Sequence, residues 1–129
     1  MKPQIDVAAA IIFKQQEILI SQRDDHSHLS GYWEFPGGKR EQGETFEDCL
    51  VREIREELNV EIELDGLFER VNYEYPEKVV TLQFYRCRYL RGEVKALGCR
   101  QYKWVALRQL SDYQFPPANE PVLRKLVHL

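Results

Sequence analysis

The chain has 129 residues, 43% of them apolar and 30% charged, and a net charge of −3. This is one domain's length, enough to bury a core without staples, and the acidic balance argues against gripping long DNA or RNA by phosphate neutralisation. Three widely spaced cysteines (Cys49, Cys87, Cys99) with no CxxC pair argue against a disulfide framework or zinc ribbon and fit a reducing cytoplasm.

The first apolar run, Val7–Phe13, is too short to span a membrane and lacks the form of a signal peptide. With the polar Lys14-Gln15-Gln16 and the apolar Glu17–Ser21 it predicts two strands joined by a tight turn. Asp24–Gly31 reads as a polar loop; its two histidines lack the further ligands that zinc needs. Trp33–Lys39 begins as a short strand and breaks into a Pro-Gly-Gly turn. Thr45–Leu58 then predicts a helix. Thr45 is its N-cap, with Asp48 three residues on. Phe46, Leu50, Ile54 and Leu58 make one apolar face, and Asn59 suits a left-handed terminus.

Strands resume at Val60–Leu64, Leu67–Tyr75 and Val79–Leu90, with a bulge or the end of burial expected near Arg86, which interrupts the alternation of Val80, Leu82 and Phe84. Arg91-Gly92 reads as a hairpin turn, Tyr102–Leu107 as a strand, and Glu120–Leu129 as a closing helix with Pro121 at a tolerated early position. Trp33, Tyr75 and Trp104 read as core. The order predicts one domain over residues 1–129, of α/β (α+β) class, with a mixed sheet between helices.

The segment GGKREQGETFEDCLVREIREELNV (37–60) carries the chemistry. Glu53, Glu56 and Glu57 lie three and four residues apart, on neighbouring positions of one helix face, in a stripe beside the apolar face. Clustered carboxylates raise one another's pKa unless a cation joins them, and hard divalent cations bind oxygen ligands in this way. Alone, REIREEL is also an ordinary solvated helix with Arg52–Glu56 support.

Gly38, Glu44, Arg52, Glu53, Glu56, Glu57 and Val60 stand at the spacing of the Nudix box, and the segment resembles that hydrolase family's signature. One fixed position departs: the last glycine is Asn59, which also tolerates the left-handed cap. The resemblance implies the Nudix fold, a mixed sheet between helices, and metal-dependent hydrolysis of a nucleoside diphosphate linked to another group. It implies Mg²⁺, or Mn²⁺, held by Glu53, Glu56 and Glu57 with the Gly37 carbonyl. Arg52 would orient the glutamates, with Glu44 and Glu41 supporting or capping.

The chain is similar nearly end to end to the MutT-type branch, whose members hydrolyse oxidised dGTP. EFPGGK (34–39), ETFEDCLVREIREE (44–57), Tyr73–Pro76, Trp104 and FPPANEPV (115–122) stand in register. The likeness implies 8-oxo-dGTP cleavage to 8-oxo-dGMP and pyrophosphate, a role in mutation avoidance, a monomer in the cytoplasm, and substrate contacts from Arg23, His28, Glu34, Phe35, Gly37, Gly38, Lys78 and Asn119. Lys78 stands where the relatives have arginine. Gly98 stands where they carry a further glutamate serving the metal or the water, which leaves the base to Glu53 or to a water between two metals. Without the resemblance Asn119, ahead of Glu120-Pro121, reads as a helix N-cap. Other substrates within the same chemistry are CTP or a methylated dCTP, a nucleotide sugar, or a dinucleoside polyphosphate; a silent nucleotide-binding domain is the reading from another class.

Overall fold

The first strand, β1 (Gln4–Lys14), organises the molecule, because its side chains alternate between two cores. In the computed structural model, which describes residues 1–24 and 29–129, Ala8, Ala10 and Ile12 face one layer while Ala9 and Ile11 face the other. That is the period-two geometry of a strand buried on both sides. Along one edge β1 runs parallel to β6 (Val79–Arg91), from Gln4 opposite Val79 to Phe13 opposite Arg88. β6 in turn pairs antiparallel with the edge strand β5 (Glu61–Glu74). The sheet is therefore mixed, as the sequence predicts.

The other edge of β1 is divided. Its Ile12–Lys14 end pairs with β2 (Glu17–Gln22), whereas Val7–Ala9 pairs with β4 (Gly37–Lys39). β2 is shared likewise: Glu17–Leu19 face β1, while Ser21 and Gln22 face β3 (Trp33–Glu34). β7 (Gln101–Ala106) covers the far edge of β2. β1 and β2 thus splay apart beyond their turn, and β3 and β4 fill the gap. Pro36 bridges it with its carbonyl, which accepts from Ala10 N at 2.8 Å.

Helix α1 (Phe46–Leu58) covers one face of the sheet. Thr45 is extended, and its hydroxyl accepts from Asp48 N at 3.0 Å, satisfying one of the helix's orphan donors. Asn59 ends the helix in the left-handed region (φ 61°, ψ 34°). Leu50, Ile54 and Leu58 are fully buried, each stabilising the fold by roughly 1.5–3 kcal/mol on transfer estimates. Two 3-10 turns (Leu107–Asp112 and Pro117–Asn119) and helix α2 (Glu120–Leu126) cover the opposite face through Leu110, Val122 and Leu126.

Several expectations change. Gly37–Lys39 is a strand, not a turn; Gly37 lies so close to the Ala8 carbonyl that no Cβ would fit. The stretches 60–64 and 67–75 join into the single strand β5, carried through Gly66 (φ 124°) by register shifts at Leu64/Gly66 and Leu67/Glu69. The irregularity thus falls on β5, while β6 stays in register past Arg86, whose guanidinium lies 4.7 Å from the Phe13 ring centre. Arg91-Gly92 is not a hairpin turn, since β7 pairs with β2 and not with β6. α2 stops at Leu126, short of Leu129. Among the described residues, no helix is long and apolar enough to cross a membrane.

Candidate functional site

The splayed edge of β1 opens into a cavity of about 480 Å³. Its floor is sheet: Ile5, Val7, Ala9, Val80, Leu82 and Phe84. Around the rim stand Arg23, Glu34, Phe35, Gly37, Gly38, Glu57, Lys78 and Asn119, residues that lie far apart in sequence. Glu53, Glu56 and Arg52 do not line the cavity; they sit behind Glu57 on α1. His28 and the rest of 25–28 lie outside the described residues.

Arg52 organises the acidic helix. Its Nη2 and Nε donate to the two oxygens of Glu44 at 2.6 and 3.1 Å, a bidentate pair. Nη1 donates to Glu53 at 2.8 Å and to Glu56 at 3.1 Å. Glu44 also accepts from Glu41 N at 2.9 Å, so the loop before the helix and the helix itself share one carboxylate. The Arg52 hydrogen bonds hold the Glu44 carboxyl down at about 2. Burial pushes the Glu53 carboxyl up, against the opposing pull of Arg52.

Glu57 differs from these three. Its carboxylate makes no hydrogen bond or ion pair with the described residues, and it faces the cavity. Burial, then the charges of Glu53 and Glu34, push it up to about 8. An oxygen-only donor set short of positive charge is what a hard divalent cation accepts, so Glu53, Glu56 and Glu57 fit such an ion by chemistry. They are not closed around one point: no three His, Cys, Asp or Glu side chains among the described residues are grouped to hold a metal. Arg52 instead holds Glu53 and Glu56 turned toward itself.

The weakened acidity of Glu57 makes stability depend on pH. The folded carboxyl titrates near 8 and an unfolded glutamate near 4.5, so the folded state binds the proton more tightly. The resulting stabilisation is complete below about 4.5 and is lost as pH rises toward about 8, on the order of a few kcal/mol. In chelator, the melting temperature is expected to fall between pH 5 and pH 8.5, and Mg²⁺ to restore most at the upper end. Thermal melts of the wild type and Glu57→Gln check this; an equal slope in the variant refutes it.

The opposite rim is built for fixed geometry. Pro116, Pro117 and Pro121 flank Asn119, which is 7% exposed. Asn119 precedes α2, but its backbone is helical (φ −86°, ψ −6°) and its side chain makes no capping bond, so the cap expectation fails: a capping residue is extended. Its amide donates one N–H to Pro116 O at 3.4 Å, and the side chain lines the cavity.

Arg23 and Glu34 pair across the rim at 2.6 Å. Burial raises the Glu34 carboxyl despite that partner. Tyr75 corrects a core expectation: it is half-buried and lines the cavity, with the Lys78 ammonium 5.4 Å from its ring centre. Trp33 is core, as expected. Trp104 is half-buried against Tyr89, away from the cavity. Sequence reasoning missed Asp24 and Tyr75 as lining residues. The adjacency of Asp24 to Arg23, and the in-register Tyr73–Pro76, were the signals available.

A family model described as NUDIX domain matches residues 7–125. The 8-oxo-dGTP diphosphatase of Escherichia coli (strain K12) is 39% identical over 127 residues, 98% of each chain. The CTP pyrophosphohydrolase of the same organism is 32% identical over 97% of this chain and 93% of its own. Among solved structures, the E. coli ORF135 protein superposes with a TM-score of 0.87 at 31% identity, covering 99% of this chain and 91% of that one. The MutT protein from Methanosarcina mazei Go1 gives 0.87 at 27% identity, over 98% and 95%.

Proposed function

This chain belongs to the NUDIX domain family, a hydrolase of nucleotide pyrophosphate bonds, and from that premise we propose that it cleaves 8-oxo-dGTP to 8-oxo-dGMP and pyrophosphate. The observation that carries the substrate is the uncapped Asn119 amide on the cavity rim. Ordinary guanine offers two acceptors on that edge, N7 and O6. Oxidation at C8 places a hydrogen on N7, leaving a donor beside an acceptor. Asn119 has Oδ1 and one N–H beyond the contact with Pro116, an acceptor and a donor that match. Unoxidised guanine sets N7 against Oδ1, acceptor against acceptor.

Phe35, packed on Phe115 at 5.1 Å and on Phe84 at 6.1 Å, gives this wall an apolar and rigid body. Glu34 and Phe35 would line the base and sugar, Arg23 and Lys78 would touch the nucleotide from the same rim, and Gly37 and Gly38 would let backbone come close to phosphate. Glu53, Glu56 and Glu57, with the Gly37 carbonyl, would hold Mg²⁺ or Mn²⁺. A divalent ion there supplies charge neutralisation for the phosphates and a more acidic water. Arg52 keeps Glu53 and Glu56 oriented and ties them to the loop through Glu44. With Gly98 bringing no carboxylate, Glu53 of the acidic set would be the proton acceptor. The work is that of a cytoplasmic monomer guarding the nucleotide pool and, through it, DNA replication.

A nucleotide panel with product analysis tests this. 8-oxo-dGTP is expected to exceed dGTP in kcat/KM by at least about 10²-fold, with a monophosphate and pyrophosphate as products and no turnover in chelator. Equal rates on the two guanines would end the oxidised-base reading. A best rate on CTP would align the chain with its CTP pyrophosphohydrolase relative.

A further inference from the structure

Glu57 lies in the last turn of α1, and the chain returns to that turn long after leaving it. Between β6 and β7, residues 92–100 form a strap across the helix's C-terminal end. Lys95 N donates to Leu58 O at 3.0 Å. Leu97 N and Gly98 N both donate to Glu57 O, at 2.9 and 3.1 Å. The Asn59 amide donates to Glu93 O at 3.1 Å. Carbonyls at a helix end have no partner within the helix, and here the strap supplies them.

Gly98 then lies flat against the Glu57 side chain. A Cβ on residue 98 would stand 2.8 Å from Glu57 Cγ, 3.2 Å from its Cβ and 3.3 Å from its Cα. Gly98 is not among the residues of positive φ, so its backbone does not call for glycine; the space does. Gly38 stands in the same relation to Glu53, whose carboxyl occupies the place a Cβ would take. Each of the two enclosed carboxylates is thus seated against a glycine, one from β4 and one from the strap.

We propose that Gly98 is a positioning residue whose missing side chain sets the rotamer of Glu57 and holds its carboxylate in the cavity. This rests on Glu57 being part of the catalytic acidic set. It follows that, with the strap as it stands, a side chain added at 98 pushes on Glu57: Gly98→Glu, although it restores the glutamate that the MutT-type relatives carry there, lowers turnover in this chain.

The test is a cycle of Gly98→Ala, Glu57→Ala and the double variant, with Mn²⁺ binding measured by water-proton relaxation in the absence of nucleotide. Gly98→Ala is expected to bind Mn²⁺ about 5- to 10-fold more weakly and to lose 10- to 100-fold in kcat, roughly the effect of a one-ångström misplacement, with KM within about twofold. Its melting temperature drops by about 5 °C. At least half of that drop disappears in the Glu57→Ala background, where Cγ is gone. Should Gly98→Ala fail to fold, a folded double variant supports the proposal, and failure of both overturns it. Unchanged Mn²⁺ affinity and kcat in Gly98→Ala, alongside an inactive Glu57→Gln, overturns the role of Gly98 and leaves the acidic site standing. Full activity in Glu57→Gln removes that site's assignment and this proposal with it.

Discussion

Glu57→Gln is expected to lower kcat by roughly 10³-fold while the protein folds at least as stably as the wild type in chelator. The loss follows from removing a ligand of the cation that would meet the phosphate charge, a class of electrostatic change worth about 10²–10³ in kcat or more. The retained stability follows from electrostatics. Glu57 is the enclosed carboxyl that burial and the Glu53 and Glu34 charges push up to about 8, so its charge opposes folding at neutral pH when no cation is bound. Glutamine keeps the shape and removes the charge. Activity and stability should therefore move in opposite directions, which general damage to the fold would not produce. Steady-state rates with Mg²⁺, and melts with and without it, decide the matter. A glutamine variant with full turnover, or one that melts well below wild type in chelator, would contradict the assignment.

Asn119→Asp is the second large effect. The change keeps the size of the side chain and exchanges the amide donor for a second acceptor. Toward the oxidised base, the bond to O6 is lost and an acceptor faces it; toward ordinary dGTP, the acceptor clash at N7 persists. The kcat/KM for 8-oxo-dGTP is expected to fall by about 10²-fold or more, because a site built for a hydrogen bond is left with two facing acceptors at O6, while the ratio over dGTP, which rests on N7, changes less. Turnover of a nucleotide that does not depend on the amide should change little. Stability should fall somewhat, since the new carboxylate is nearly enclosed and sets an acceptor against Pro116 O in place of the amide donor. Undiminished kcat/KM on 8-oxo-dGTP in the aspartate variant would return Asn119 to a structural role.

Much of the frame was legible because local chemistry decides it. The Thr45 hydroxyl, the four-residue spacing of Leu50, Ile54 and Leu58, and the left-handed Asn59 specify α1 without reference to the rest of the chain. The strands β1 and β2 follow from their isoleucine-rich runs. What escaped depends on partners remote in sequence. Gly37-Gly38 has the composition of a turn and becomes β4 because β1 offers an unpaired edge there. Gly92 does turn the chain (φ 114°), but it packs against the Asn59 carbonyl at the end of α1 instead of starting a hairpin. Gly66 would end most strands, and bulges carry β5 through it.

The candidate site divides along the same line. The acidic residues share one helix, so their spacing exposes them. Tyr75 and Asp24 reach the cavity through the folded path of β5 and of the loop after β2, and their only local marks are the in-register Tyr73–Pro76 stretch and the neighbouring Arg23. Asn119 was readable as a cap or as a reader of a base, and the helical backbone at that position removes the cap.

The parallel ladder of β1 on β6 also sets a timetable. Gln4 cannot meet its partner until Val79 exists, and the splayed edge that opens the cavity is braced by β7 and roofed by the residues around Asn119 later still. Contacts of such long sequence separation bear their loop-closure cost before any reward, which slows folding. A chain emerging from the ribosome would therefore keep the apolar runs of β1 and β2, and the apolar face of α1 that packs on the same sheet, waiting for most of synthesis. Competence arrives late, when the segment around Asn119 reaches the cavity rim.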